Sequence, residues 1–308
     1  MAEVHRPALD DPTAWVPYRY HPSRAAAIVF LIAFAISTIL HIWQMCRKRT
    51  WYLTPLIVGG IFEVLGFLGR ILSTNDFWAL GPFIMQSLLL LVAPALFAAS
   101  IYIILGRIIL LTDGEKHSLI RQKWLTKIFV AGDCISFLAQ CNGGGIQATG
   151  SLSMMHMGEK IIVVGLFLQL AFFGFFVVVA GLFHWRLVKA RSYTVVPLHD
   201  MPWKRHLYAL YFASGLIMVR SVFRLVEYMQ GKNGFLLRQE YFLYVFDAFL
   251  MFVVMGALNW IHPAEITELY HKRLRNSTAE YPLQETRDRY MGVDHDATKE
   301  ARSNTQEV

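Results

Sequence analysis

The chain has 308 residues, of which 55% are hydrophobic and only 17% are charged. A soluble domain typically has about 25% charged residues, so the composition excludes an ordinary soluble protein. The formal net charge of +7 therefore does not indicate a nucleic-acid-binding surface, and its distribution among the loops is the informative quantity. Three cysteines without a CxxC pair also argue against a zinc ribbon or a dithiol redox site.

Seven apolar segments follow one another along the chain, each close to the length of about 20 residues that crosses ~30 Å of hydrocarbon. We therefore predict an all-α membrane protein, built as a bundle of seven transmembrane helices. The fourth segment is interrupted by Lys127 and Asp133. The predicted segments are Ala25–Met45, Trp51–Gly69, Pro82–Gly106, Trp124–Cys141, Met157–Trp185, His206–Val226 and Tyr241–Ile261.

The positively charged residues indicate how this bundle is oriented. Twenty of the 29 lysines and arginines fall in the loops after the first, third and fifth helices and in the C-terminal tail, whereas seven fall on the opposite side. Because cytoplasmic loops are enriched in Lys and Arg, we predict an N-terminus outside and a C-terminus in the cytoplasm. Trp51, Trp124, Trp185 and Trp203 lie at the predicted cytoplasmic ends, where interfacial tryptophans are expected.

Two tails are predicted to flank the membrane domain. The C-terminal tail begins with a short amphipathic stretch that contains Ile266, Leu269 and Tyr270, and then turns polar and poor in large apolar groups, which is typical of disorder. The predicted regions are an extracellular N-terminal tail (1–24), the seven-helix transmembrane domain (25–263) and a cytoplasmic, largely disordered tail (264–308).

Polar side chains recur inside the predicted helices, although they are costly at membrane depth. The stretch Arg220–Asp247 stands out, since it carries three arginines and three acids. At a rise of 1.5 Å per residue, most of the polar groups fall between the membrane centre and its outer face. We therefore predict a polar cavity that opens to the outside. Its candidate residues are Glu63, Gln86, Asp133, Gln140, Gln169, Arg220, Arg224, Glu227, Glu240 and Asp247.

The charged members of this set are spaced for pairing. Arg220, Arg224 and Glu227 share one helical face because their spacing is i, i+4, i+7. Glu227 can pair with Arg224 on the same helix, so Arg220 needs Asp247 or Glu63 as its partner. If these groups only pair with one another, they stiffen the bundle without forming a binding site. A surplus of acids in the set would instead suit a cationic amphiphile.

Three glycines, Gly143 to Gly145, follow the fourth predicted helix. Glycine ends helices and permits close backbone approach. We expect this stretch to be a flexible loop or, alternatively, a lid or rim of the outer cavity.

A set of motifs in the chain resembles the fungal lipid-translocating exporter family, which includes a sphingoid long-chain-base exporter and the aminocholesterol- and molasses-resistance proteins. Each motif alone is weak, but together they extend over about residues 25–263. The matching residues are Gln86, APALFAASIY (93–102), Gly106-Arg107, DCISFLAQ (133–140), Gly143–Gly145, GLFLQ (165–169), RSVFRLVE (220–227), Gly231, Glu240, Asp247 and His262-Pro263.

The resemblance implies a multi-pass protein, expected in the plasma membrane, that exports or translocates lipid-like amphiphiles and contributes to resistance against toxic compounds. The chain has no GxxxxGK[ST] loop, so we expect transport without an ATPase of its own. The expected partners are membrane lipids or amphiphilic small molecules, and no nucleic acid.

Two alternative functions exist for a membrane protein of this kind. A seven-helix receptor or sensor of lipid or membrane stress would alter lipid handling indirectly, although the third helix ends in Gly106-Arg107 without a DRY-like motif. An intramembrane enzyme is not expected, because the histidines are spread over helix ends on both sides of the membrane. We accordingly predict no catalytic residues, no metal and no cofactor. The histidines concerned are His41, His156, His184 and His206.

Overall fold

The computed structural model describes residue 18 and residues 20–76, 78–112, 114–147, 152–191, 203–231, 234–270, 272 and 275. This part of the chain is almost entirely helical and contains no β-strand. Six long helices come first. They are α1 (Arg24–Lys48), α2 (Thr54–Ser73), α3 (Leu80–Leu111), α4 (Gln122–Gln147), α5 (Leu152–Arg191) and α6 (Trp203–Met229).

The seventh span is assembled from three pieces. It follows a single helical turn, α7 (Phe235–Arg238), and begins with another, α8 (Glu240–Leu243). It then continues as a π-helical segment, Tyr244–Phe249, and ends as α9 (Leu250–Trp260). π-Helical turns are rare and are often found at functional sites, and this one contains Asp247.

The predicted bundle of seven transmembrane helices is confirmed. Six described helical stretches, all except α4, are long and apolar enough to cross a membrane. The 26 residues of α4 give a length of roughly 39 Å at 1.5 Å per residue, so α4 is long enough but less apolar. It packs against α3 and α5 as a full member of the bundle.

Helix α3 forms the centre of the bundle and packs against α2, α4 and α6. Its side chains Phe97, Ile101 and Leu105 are completely buried. The Tyr102 ring lies 4.5 Å from the Phe176 ring and 5.4 Å from the Phe129 ring, centroid to centroid, which builds an aromatic core between α3, α4 and α5.

The outward faces of the helices are apolar as well. An exposed apolar surface of this extent is unfavourable in water and favourable against lipid acyl chains. The chain is therefore an integral membrane protein. The outward side chains include Val29, Ile36, Val164, Phe167, Val178 and Phe212, each about half exposed or more.

Glycines bring neighbouring helices into close contact. A Cβ atom on Gly66 of α2 would lie 2.6 Å from Leu90 Cδ2 of α3, and one on Gly69 would lie 3.0 Å from the Pro82 carbonyl oxygen. Small residues serve this role in membrane bundles because they let two helix backbones approach. Helix α2 is thereby held closely against the first half of α3.

The expectation that Gly143–Gly145 form a loop is wrong, because α4 continues through them to Gln147. Gly143 is buried against α5, where an added Cβ would lie 2.7 Å from the Gly158 carbonyl oxygen. Gly144 and Gly145 face open space. The run of glycines therefore permits helix contact at one position and leaves room beside the helix at the next two.

The prediction that Trp203 is an interfacial anchor is also wrong. Trp51, Trp124 and Trp185 are 62%, 58% and 61% exposed, whereas Trp203 is only 1% exposed. The Trp203 ring packs edge-on against the His184 ring of α5 at 6.1 Å. Its position at the start of α6 is as predicted, but its side chain turns into the bundle.

The predicted amphipathic start of the C-terminal tail is confirmed. Residues 264–270 are helical and contact the end of α1 and the start of α6. Ile266 is buried, Leu269 packs against the core, and the Glu265 carboxylate lies 3.0 Å from His206 Nε2 of α6. The remainder of this tail, apart from residues 272 and 275, lies outside the described residues.

The glycine contacts lead to a test of the α4–α5 packing. Alanine is favoured over glycine inside a helix by about 1 kcal/mol, so Gly144→Ala should slightly raise the unfolding temperature of the detergent-solubilised protein. Gly143→Ala gains the same helical preference but forces its methyl group against the Gly158 carbonyl oxygen. Overpacking costs about 1–3 kcal/mol, so Gly143→Ala should be the less stable variant. Equal stability of the two variants would contradict the close approach of α4 and α5.

Candidate functional site

A cavity of about 340 Å³ opens at the end of the bundle where the N-terminal segment lies. Its wall comes from α3, α4, α5, α6, α7 and α8, and from Tyr18 and Tyr20 ahead of α1. Along α3 the lining runs from Leu80 to Leu91, so the cavity reaches roughly 16 Å into the bundle at 1.5 Å per residue. This depth places its floor within the half of the bundle nearer that end.

Most of the wall is apolar, and a few polar groups converge on it. The apolar side includes Phe83, Ile84 and Leu88 of α3. This combination is typical of binding sites for small molecules, where apolar surface supplies affinity and a few polar groups fix orientation. An amphiphile offers both kinds of surface in one molecule.

Four of the ten predicted cavity residues line this wall, namely Gln86, Gln140, Arg224 and Glu227. Three more are attached to the lining: Gln169 accepts a hydrogen bond of 3.0 Å from Gln140 Nε2, and Arg220 and Asp247 are bonded to lining residues as described below. Glu63, Asp133 and Glu240 do not line the cavity. The structure thus brings most, but not all, of the predicted set together.

A buried ionic cluster forms the base of the site. Arg220 Nε on α6 donates a hydrogen bond to Asp247 Oδ1 in the π-helical segment. Of the two predicted partners, Asp247 and Glu63, Asp247 is therefore the one that Arg220 bonds directly. Arg220 Nη2 donates a hydrogen bond of 2.7 Å to the Leu90 carbonyl oxygen of α3, and Leu90 lines the cavity. One guanidinium therefore connects α3, α6 and the seventh span.

Arg224 extends this cluster to the cavity wall. Its Nη1 donates to Glu227 Oε2 at 2.7 Å, as the spacing predicted. Its Nη2 lies 3.2 Å from Asp247 Oδ2, an ion-pair contact without hydrogen-bond geometry. Glu63 is buried on α2 and interacts electrostatically with Arg220, Arg224 and Asp247. The two arginines and three acids therefore nearly neutralise one another when all are ionised.

Asp133 and Glu240 belong to contacts outside the cavity. Tyr102 on α3 donates a hydrogen bond of 2.9 Å to Asp133 Oδ2 on α4, within the aromatic core. Glu240 accepts a hydrogen bond of 2.7 Å from Arg70 Nη2. Arg70 is fully buried, and its Nε and Nη2 also donate to the hydroxyls of Tyr244 and Tyr20, at 2.9 and 3.0 Å.

The polar site residues absent from the predicted set include Tyr18, Tyr20, Glu159 and Tyr228, which line the cavity, and Arg70, which donates a hydrogen bond to Tyr20. Tyr18 is 4% exposed and donates a hydrogen bond of 2.8 Å to Gln86 Oε1. Burial raises the pKa of the Tyr18 hydroxyl above its ordinary value, so it stays protonated as a donor. Aromatic residues just ahead of a membrane helix resemble ordinary interfacial anchors. Sequence position alone does not distinguish such an anchor from a residue of the cavity wall.

Among the described residues, no group of three or more His, Cys, Asp or Glu side chains is arranged to hold a metal ion. The polar atoms at the cavity are donors and acceptors of hydrogen bonds and ion pairs. The arrangement suits reversible binding of a molecule with one polar end.

The profile of the family described as "RTA1 like protein" matches residues 56–269. Protoporphyrin uptake protein 1 of Saccharomyces cerevisiae is 35% identical over 80% of this chain and 92% of its own length. Lipid-translocating exporter-like protein RTA1 of Leptosphaeria maculans is 29% identical over 82% of this chain and 52% of its own length. Sphingoid long-chain base transporter RSB1 of S. cerevisiae is 24% identical over 79% and 72%.

No solved structure matches this chain. The family match covers more than half of the chain and includes the helices that carry the cavity and the ionic cluster. It agrees with the family resemblance seen in the sequence motifs. The chain therefore belongs to the RTA1-like family of fungal membrane proteins, whose named members include lipid transporters.

Proposed function

We propose that this protein exports lipid-like amphiphiles, such as sphingoid bases or sterol-like and toxic compounds, without an ATPase of its own, and thereby contributes to resistance. The observation that carries the proposal is the cavity, in which an apolar wall meets a small polar base. An acyl chain can lie against Ile84, Leu88 and Leu91, while a head group reaches Arg224 or Glu227. The names of the relatives, which include a sphingoid long-chain base transporter, support this class of cargo.

Two polar atoms of cavity-lining residues support ligand binding. Arg224 Nε and Gln140 Oε1 are buried and have no hydrogen-bond partner among the described residues. One is a donor and the other an acceptor. An unsatisfied buried polar group costs about 1–3 kcal/mol, so these side chains gain a hydrogen bond if they turn toward the cavity and contact the polar end of a ligand.

We further propose that the cavity faces the outside of the plasma membrane, with the N-terminus outside and the C-terminus in the cytoplasm. The distribution of Lys and Arg among the loops supports this orientation. In it, cargo released from the cavity leaves the cell.

Filling the cavity should block transport. Gly144 lines the cavity, and a side chain added there meets open space, so Gly144→Phe places a ring where the cargo would bind. In vesicles that contain the purified protein and a fluorescent sphingoid base, we expect the initial flux to fall about tenfold or more, equivalent to about 1.4 kcal/mol of lost binding.

The matched control for this variant is Gly256→Phe. Gly256 is an exposed glycine of α9 that also faces open space but does not line the cavity, so its flux should equal that of the wild type. Wild-type flux no higher than in protein-free vesicles would refute the transport proposal. Binding of the base without any flux would favour a sensor.

The ionic cluster should govern stability through pairing. Asp247→Leu leaves Arg220 and Arg224 without their shared carboxylate, and removing one partner of a buried ion pair costs about 3–5 kcal/mol. The double variant Asp247→Leu with Arg220→Met leaves Arg224 paired with Glu227, so it should unfold at a temperature close to wild type. The flux through the double variant should be lower than that of the wild type, because Arg224 loses its contact with Asp247, which orients it at the cavity. A double variant as unstable as Asp247→Leu would show that charge pairing is not what holds these helices together.

The orientation can be tested with single cysteines in a variant that lacks Cys46, Cys134 and Cys141. Asn75 and Arg47 are exposed at opposite ends of the bundle. A membrane-impermeant maleimide should label Asn75→Cys on intact cells and Arg47→Cys only after permeabilisation. The reverse pattern would place the cavity on the cytoplasmic side.

A further inference from the structure

The segment ahead of α1 is built into the cavity wall. We call Tyr18 and residues 20–23 the strap. Tyr18 and Pro22 are buried, and Tyr18 and Tyr20 both line the cavity. A tail that only preceded a membrane helix would have no reason to bury these side chains. The strap therefore forms part of the cavity wall at this end of the bundle.

One end of the strap is held by charge. Arg70 Nη2 donates to the Tyr20 hydroxyl at 3.0 Å, and its guanidinium carbon lies 5.5 Å from the Tyr20 ring centroid. The Glu240 carboxylate accepts a hydrogen bond from Arg70 and another, of 2.7 Å, from the Ser23 backbone N–H. Hydrogen bonds to ionised groups are roughly twice as strong as neutral ones, so this end is fixed to α2 and α8.

At the other end, the direct contacts of Tyr18 among the described residues are to neutral side chains, and Arg70 acts on its hydroxyl only electrostatically. The Tyr18 hydroxyl donates to Gln86 Oε1 at 2.8 Å, and the Tyr18 ring packs edge-on against the Phe83 ring at 5.3 Å. Gln86 and Phe83 both line the cavity. The contacts of Tyr18 are therefore weaker than those of Tyr20 and Ser23, and they are made to the wall that a ligand would touch.

From this asymmetry we propose that the strap is a lid on the cavity. Arg70 and Glu240 anchor the end at Tyr20 and Ser23, and an amphiphile enters or leaves the cavity when Tyr18 separates from Gln86 and Phe83. Arg70 is a positioning residue in this arrangement, since it acts through Tyr20 and Glu240. The inference rests on the proposed function of the cavity as an amphiphile site.

The test measures the rates of binding rather than affinity alone. Full-length protein in lipid nanodiscs is mixed with a fluorescent sphingoid base, and association and dissociation are followed by stopped flow. Tyr18→Phe keeps the ring but removes the hydrogen bond, so both rates should rise about two- to tenfold, the equivalent of one neutral hydrogen bond. The dissociation constant should change little, because a lid slows entry and exit alike.

Tyr241→Phe is the matched control, since Tyr241 is 52% exposed at the same end of the bundle and does not line the cavity. Its rates should equal those of the wild type. The unfolding temperatures of both variants are measured as a control. If they equal that of the wild type within error, the differences in rate are not caused by unfolding.

Cross-linking the lid in place should slow association and dissociation, whereas Tyr18→Phe should speed them. In the variant that lacks native cysteines, Tyr18→Cys and Phe83→Cys are joined by a short bifunctional thiol reagent, and exchange of the bound base should stop. The same variant without the reagent should exchange at least as fast as wild type.

Wild-type rates for both Tyr18→Phe and the cross-linked protein would overturn the lid and leave the transport proposal intact. A change in the dissociation constant with an unchanged association rate would also overturn it, because a fixed wall behaves in that way. If the wild-type protein binds no sphingoid base at all, the proposed function fails independently of the lid.

Discussion

The buried contact between Arg220 and Asp247 is the constraint on which the geometry of the cavity depends. Each group alone would be costly inside a membrane bundle, and the pair is tolerated only when both charges and their hydrogen bonds are satisfied. Satisfying Arg220 requires Asp247 from the seventh span and the Leu90 carbonyl oxygen from α3. The three helices can therefore dock in only one register, because a shift of one turn would separate the groups by about 5.4 Å.

This register also decides what faces the cavity. Arg224 lies one turn after Arg220 on α6, so fixing Arg220 brings Arg224 to the wall beside Glu227. The π-helical segment contributes to this arrangement, since it places Asp247 within reach of both arginines. The opposite end of the bundle has a different character, because residues 264–270 pack there and bury Ile266. The two ends of the bundle therefore differ: residues 264–270 pack against one end, and the cavity opens at the other.

Hydropathy was sufficient to locate six of the seven helices, because crossing a membrane requires a long apolar run whatever the neighbours are. The signal for α4 was weaker, because Lys127 and Asp133 interrupt its apolar run. The pairing of Arg220 was also predictable. A buried arginine requires an acidic partner, and only a few acids lie at a similar depth. The side that a residue faces was not predictable. Trp203 turns inward and Gly143 packs against α5, and both outcomes depend on which helix lies alongside. Tyr18 and Tyr20 were missed because the strap has no periodicity, and its partners Gln86 and Arg70 are about 50 or more residues away in sequence.

The near neutrality of the ionic cluster bears on what the cavity can release. A transporter must bind its cargo well enough to capture it and weakly enough to let it go, and a single unpaired charge in an apolar wall would hold an oppositely charged head group too tightly. Here Arg224 faces the cavity already paired with Glu227, and Arg220 is already paired with Asp247. A further charged residue of the wall, Glu159, has its Oε2 3.6 Å from His156 Nδ1. Two of the polar atoms left over, Arg224 Nε and Gln140 Oε1, are single hydrogen-bond positions. Each such bond contributes only about 0.5–3 kcal/mol, so most of the affinity must come from the apolar part of the ligand. If the cavity has the function proposed above, such a site selects for amphiphilic shape more than for one head group, and it lets the cargo leave once its chain finds lipid or another acceptor.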